Sequence, residues 1–161
     1  MTASPELVDG PIEEKERGRI LALDIGSSRV GVAVSDELQI TVRPLASIKR
    51  GSWKQLLRDI KHLVAELRAQ AIVIGLPLRL DGTEGNAAID MREIARKFRL
   101  SLTVPVYLHD ERLTTFLAQE NLKAGRNDAK EIADRLDSEA AAIILRDFIE
   151  NKNLERTSAH E

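Results

Sequence analysis

Cysteine is absent from all 161 residues. That excludes a disulfide framework, a thiolate zinc site and a cysteine nucleophile, and it is compatible with a reducing compartment. No apolar run approaches the ~18 residues of a membrane-spanning helix, so no membrane partner is expected. The N-terminus lacks the apolar stretch of a secretory signal, and the expected location is the cytoplasm. Internal repeats, low-complexity blocks and long interior linkers are missing too. So is any Gly-Lys-Ser/Thr triplet, which argues against a P-loop nucleotide site.

What is present is the composition of one ordinary globular domain: 43% hydrophobic and 31% charged residues, in a chain long enough to bury a core without metal or disulfide staples. The formal net charge of −2 conceals an uneven distribution. Residues 1–18 are acidic (Glu6, Asp9, Glu13, Glu14 and Glu16 against Lys15 and Arg17) and carry Pro5, Gly10 and Pro11 with no period. They read as a disordered acidic leader. Residues 151–161 read as a flexible tail, which leaves 19–150 as the folded domain. Within it, Arg43, Lys49, Arg50, Lys54, Arg58, Lys61 and Arg68 outnumber Asp59 and Glu66. Such an excess suits a phosphate backbone. It equally suits a solvated helix face, and both readings stay open.

Two periods alternate along the domain. The run 20–25 is nearly all apolar, the pattern of a central strand buried on both faces. Strands at 30–34 and about 40–48 follow after short connections, which implies antiparallel hairpins. Ser52 can cap a helix whose apolar face is Trp53, Leu56, Leu57, Ile60, Leu63, Val64 and Leu67. The run 71–76 is another buried strand, stopped by Pro77. A helix over about 86–98 presents Ala87, Met91, Ile94, Ala95 and Phe98, and 102–109 forms the fifth strand. A helix over about 113–123 ends near Gly125, and Asp128 with Glu131 can cap a last helix reaching about 151. The order βββαβαβαα, with right-handed crossovers, predicts an α/β fold: a mixed five-stranded sheet of order 3-2-1-4-5, strand two antiparallel, helices on both faces.

Three features place carboxylates where the period calls for an apolar group. Asp24 ends the first strand, Asp110 and Glu111 end the fifth, and Asp137 shares a helix stripe with Ala141, Ile144 and Phe148. A carboxylate on an apolar stripe costs several kcal/mol on burial unless a cation sits beside it. A salt bridge to an arginine satisfies each, and for Asp110 and Asp137 taken singly that alternative is favoured. Taken together, Asp24 and Glu111 project from one carboxyl edge of the sheet, where open α/β sheets place ligands, and a final helix can deliver Asp137 there. Clustered carboxylates need divalent cations between them, and all-oxygen ligation selects Mg²⁺ or Mn²⁺. Two such ions about 4 Å apart serve in-line attack of water on a phosphodiester. The loop 75–86, with Arg79 and three glycines, feeds a helix N-terminus that favours phosphate. His109 beside the acids can orient one of them or contact substrate, although a lone histidine at a strand end is more often structural. A strand-Asp-x-Gly hairpin also opens actin-like phosphotransferases, but those need two such domains.

The sequence resembles the YqgF (also called RuvX) proteins, Holliday-junction-resolvase-like nucleases. The residues that carry the resemblance are Leu23 to Asp36, Arg43-Pro44-Leu45, Val73 to Leu78, Asp81 to Gly85, His109 to Thr115, and Asp137 to Leu145. Six motifs in the same order over about 19–150 make it specific. The resemblance implies an RNase H-like nuclease that processes the 5′ end of the small-subunit (16S) ribosomal RNA precursor, with Asp24, Glu111 and Asp137 as catalytic and metal-binding residues. It departs modestly at Ser27-Ser28-Arg29 and at Ala133-Asp134-Arg135-Leu136. The expected phosphate contacts are Arg29, Arg79, Arg112, Lys130 and Arg135. The expected partners are structured RNA, branched DNA or a ribosomal precursor particle, for a monomer or weak homodimer. The alternatives are a Holliday junction resolvase and a non-catalytic ribosome-associated factor.

Overall fold

The computed structural model describes residues 17–111 and 129–159, with side chains throughout the first span and over 137–153 of the second. The expected helix at 113–123, Arg112 and the leader up to residue 16 lie outside the described residues, as do the side chains of Lys130 and Arg135.

Five strands form one sheet in the order β3-β2-β1-β4-β5: β1 (Arg19–Ile25), β2 (Arg29–Ser35), β3 (Val42–Lys49), β4 (Ala69–Leu76) and β5 (Val106–Asp110). β2 is antiparallel to both neighbours, whereas β1, β4 and β5 run parallel. The two parallel additions are made through α1 (Trp53–Leu67) and α2 (Asn86–Ser101), and the long helix α3 (Ala129–Ala159) follows. The sheet is the expected one in order and direction.

Side chains alternate across a strand, and the two faces form separate cores. Leu21, Leu23, Ile25, Val30, Val32, Val34, Ile72, Ile74 and Leu76 pack under α1 and α2, with Leu56, Ile60, Met91 and Phe98. Ile20, Ala22, Ala33, Ala71, Val73 and Tyr107 pack under α3, with Ala141, Ile144, Leu145 and Phe148. Ser52 caps α1 as expected, accepting from the Gln55 N–H at 3.2 Å.

Several boundaries differ from the sequence pattern. On α2 the buried alanine is Ala88, not Ala87, because steps of three, four and three join it to Met91, Ala95 and Phe98. β5 starts at Val106 and not near 102. Leu102 still closes α2 by donating to the Phe98 carbonyl at 2.8 Å, and Pro105 cannot donate to a ladder. β3 starts at Val42 because Asp36 Oδ1 draws the N–H groups of Ile40 and Thr41 into a turn (2.7 and 2.9 Å). Finally, α3 runs on to Ala159, where the pattern suggests a tail from 151. No glycine or proline interrupts it, and Lys152 is buried against the Gln39 side chain.

Candidate active site at the carboxyl edge of the sheet

The face under α3 changes character along every strand that reaches it. β1 runs Ile20, Ala22, Asp24; β4 runs Ala71, Val73, Gly75; β5 runs Tyr107, His109 and, one step past its end, Glu111. Ala33, Ala22, Val73 and Tyr107 form one cross-sheet row. In the next row Gly31 faces Asp24 and Gly75 faces His109. Apolar residues therefore fill the amino-end rows and carboxylates the carboxyl edge.

The two glycines make room for the acids. A methyl group on Gly31 would overlap the Asp137 carbonyl oxygen, and one on Gly75 would overlap the Glu111 carboxylate and the tip of Ile144. A glycine inside a strand often marks such a close approach. This signal stands in the sequence, yet the pattern of acids alone does not expose it. Beside that close approach α3 is also pinned by buried Ser138, whose hydroxyl donates to the Leu45 carbonyl at 2.5 Å. Glu111 is pinned through its own N–H, which donates to the Leu76 carbonyl at 3.1 Å.

Asp24 and Glu111 meet. Their carboxyl groups share a hydrogen bond, and both hold their protons more tightly than usual. For Asp24 the chief cause is burial, partly offset by that bond and reinforced by the charge of Asp137. For Glu111 burial leads, the Asp24 charge and the shared bond add to it, and Asp110 contributes last; together they push its carboxyl up to about 8. A single proton between the two carboxyl groups satisfies that bond. Two carboxyl groups this close repel when both are charged, and a shared proton or a cation relieves that repulsion.

Asp137 reaches the same edge by a different attachment. Its charge is felt at Asp24, but its Oδ2 lies 2.8 Å from Nε of Arg29. Both side chains are about one-third exposed overall (34% and 27%), so the pair is not fully enclosed, although the paired Oδ2 is itself buried. The sequence poses two roles for Asp137, member of the acid cluster and arginine partner; it contacts Arg29 directly and is linked to Asp24 only through its charge. Among the described residues no three His, Cys, Asp or Glu side chains are gathered tightly enough to hold a cation. The donor set nevertheless fits a hard divalent ion: all oxygen, two groups already adjacent, and a third linked to them electrostatically.

The surrounding residues are placed as follows. Arg50 holds the β1–β2 turn, donating from Nη1 to the Gly26 carbonyl (2.7 Å) and from its N–H to the Ser28 carbonyl (2.9 Å). His109 Nε2 lies 2.6 Å from Asp147 Oδ2 on α3, a partner that sequence reasoning missed, with its ring edge-on to Phe148. Arg79 sits in a tight loop closed by its N–H to the Thr83 carbonyl (2.9 Å), its guanidinium against Gly85 at the start of α2. Lys54, Arg58 and Lys61 are exposed on one flank of α1, and Asp59 and Glu66 lie on the opposite flank.

Residues 18–151 match the family described as "RuvX: Holliday junction resolvase". This chain belongs to the RuvX family. Among its relatives, a protein of Anaeromyxobacter sp. (strain Fw109-5) is 37% identical over 135 residues, 84% of this chain and 98% of that one. A protein of Mycolicibacterium paratuberculosis is 37% identical over 149 residues, 92% and 89% of the two chains. Both carry the name "Putative pre-16S rRNA nuclease". Among solved structures, T. thermophilus RuvC in complex with a Holliday junction substrate aligns with TM-score 0.50 at 14% identity, covering 84% of this chain and 96% of that one. The fowlpox virus Holliday junction resolvase aligns with TM-score 0.51 at 15% identity, covering 83% and 99%. These likenesses show that the RuvX chain has the RNase H-like fold of RuvC. Nucleases of that fold typically use divalent metals. No helix among the described residues is long and apolar enough to cross a membrane.

Proposed function

We propose that this RuvX protein is a divalent-cation-dependent nuclease of structured RNA, acting in the cytoplasm on the 5′ end of the 16S rRNA precursor. One observation carries the reading above the others: the Asp24 and Glu111 carboxyl groups meet at the carboxyl edge of the sheet, in a chain whose relatives are named for this activity.

Asp24, Glu111 and Asp137 would hold Mg²⁺ or Mn²⁺, with two ions expected for this chemistry. When bound, the ions supply Lewis acidity for attack of water on a phosphodiester and neutralise charge at the leaving oxygen. The chain's own groups prepare that chemistry. Asp24 and Glu111, hydrogen-bonded to each other, would both have to be deprotonated to serve as ligands. Ile144 and the Ala22–Val73 row wall the acids off from the core. Arg79 in its closed loop and the free N–H groups at the start of α2 offer a phosphate site on the connection that leaves the carboxyl end of β4. Arg50 fixes the turn after Asp24, while Lys54, Arg58 and Lys61 extend a basic flank for the strand beyond the cut. Arg112, Lys130 and Arg135 complete the proposed set of phosphate contacts.

The test is cleavage of a pre-16S 5′ fragment and of a four-way DNA junction by wild type and by Asp24→Asn. Asp24-dependent cutting of the RNA supports the proposal. The family's own description favours a second reading, junction resolution. That activity needs two active sites in a symmetric dimer, so Asp24-dependent cutting of the junction by a dimer would favour it. Binding without cutting would point to a non-catalytic RNA or ribosome factor.

A further inference from the structure

We propose that Arg29 is an exchangeable counter-ion: it neutralises Asp137 while no divalent cation is bound, yields that carboxylate when one arrives, and then turns its guanidinium to a substrate phosphate. The inference rests on the reading of Asp24, Glu111 and Asp137 as cation ligands, and it adds a residue that gates their loading.

The backbones on both sides of the pair are fixed. Arg29 begins β2 opposite Lys49. Its carbonyl accepts from the Gly26 N–H at 2.9 Å, closing the turn that Arg50 also holds. On the other side, the Asp137 carbonyl fills the space left by the missing side chain of Gly31, and Ser138 is bonded to Leu45. The helix is therefore held close against the sheet at this point. The side chains can move, because Arg29 and Asp137 are 34% and 27% exposed overall, although the Oδ2 that meets Nε is itself shielded from water.

The pairing also explains why the three acids do not form a closed cage. Asp137 is near enough to act on Asp24 electrostatically, yet its Oδ2 is engaged by Nε of Arg29 at 2.8 Å. A monocation spread over a planar guanidinium is a poor substitute for a dication at close range, so the exchange favours the ion wherever the ion reaches the edge. Once displaced, the guanidinium remains at the same edge with a geometry matched to two phosphate oxygens. A lysine here would hold the charge but not the fork.

The experiment is calorimetric titration with Mn²⁺ alone on the full chain, for wild type, Arg29→Gln, Arg29→Lys, Asp24→Asn, Asp137→Asn and the Arg29→Gln/Asp137→Asn pair. Arg29→Gln should bind Mn²⁺ on the order of two- to fivefold more tightly, the gain from removing a part-exposed competing ion pair. Arg29→Lys should stay close to wild type, and the Gln change should add nothing once Asp137 is Asn. If Arg29→Gln folds poorly, the Nε–H resonance of Arg29 in the wild-type chain can be followed during Mg²⁺ addition. It should shift as the pair opens, and a resonance that does not move overturns the exchange. Unchanged or weaker binding in Arg29→Gln, alongside loss of binding in Asp24→Asn, also overturns the exchange but leaves the cation site standing. Absence of Mn²⁺ binding in every protein overturns both.

Discussion

The two faces of the sheet come from the same strands and do different work. The face under α1 and α2 is built from branched residues from end to end: Leu21, Leu23 and Ile25 on β1, Val30, Val32 and Val34 on β2, Ile72, Ile74 and Leu76 on β4. The face under α3 thins from Ile20 to Ala22 to Asp24, from Ala33 to Gly31, and from Val73 to Gly75. Apolar burial at about 25 cal/mol per Å² comes mainly from the first face. The second gives up part of that burial to let a helix lie close and to bring carboxylates to an edge. Alternation along a strand thus lets one β-strand serve stability and chemistry at once, with neighbouring residues assigned to opposite tasks.

Changing one residue on each face should separate the two roles. Asp24→Asn, on the α3 face, should reduce Mn²⁺-dependent cleavage to background. Its thermal midpoint without metal should stay equal or rise, because a buried, mutually repelling charge has been removed. A mutant that cleaves at the wild-type rate would remove Asp24 from the site. Its neighbour Leu23, fully buried on the other face, should behave in the opposite way. Leu23→Ala should cost about 4 kcal/mol in a urea melt, with Mn²⁺ affinity of the folded protein unchanged.

Gly31→Ala sharpens the contrast, since an added methyl collides with the Asp137 backbone. It should cost about 3 kcal/mol through overpacking and weaken Mn²⁺ binding as well, measured by melts with and without the ion. A purely structural glycine would lose stability with no change in the metal response.

The acid pair also gives the α3 face a pH dependence that the other face lacks. Glu111 titrates at about 8 in the folded chain against an ordinary 4.5, so between those values the folded state binds the extra proton. Metal-free stability should therefore be fully present below about pH 4.5 and decline toward pH 8. A decline of about 2 kcal/mol is expected, less than ~1.4 kcal/mol per pH unit would give, because water reaches this edge. Glu111→Gln should flatten that decline. A wild-type profile as flat as the mutant's would show that Glu111 holds no extra proton. The smallest effect concerns α1. Neutralising Lys54, Arg58 and Lys61 should reduce the log–log salt slope of RNA binding by roughly 0.7 to 0.9 for each phosphate that no longer meets a cation. An unchanged slope would assign these bases to a solvated face.

Strand order, the two α1 and α2 crossovers and the position of Asp24 were legible because they depend on local period and on short connections. Asp24 interrupts an apolar run at a strand end, which one sequence can show. The boundaries of β3 and β5 were not, since they were set by a side chain folding back from Asp36 and by a helix overrunning to Ser101. Asp147 escaped notice beside His109 for a related reason. It is 38 residues away, and its exposed position on α3 breaks no local pattern.

The sequence by itself determined the sheet, the family and the list of acids, because hydrophobic period and six ordered motifs are properties of the chain read in one dimension. Only the tertiary structure decided how those acids are disposed. Asp24 and Glu111 lie 87 positions apart by their numbers and meet because β1, β4 and β5 run parallel and end at one edge. Asp137 comes to that edge on a helix seated over Gly31, and Arg29 lies against it there. Carboxylate interactions fall off over a few ångströms of space, not over residues of chain. Whether an acid pairs with another acid or with an arginine is therefore settled only when the helix closes on the sheet.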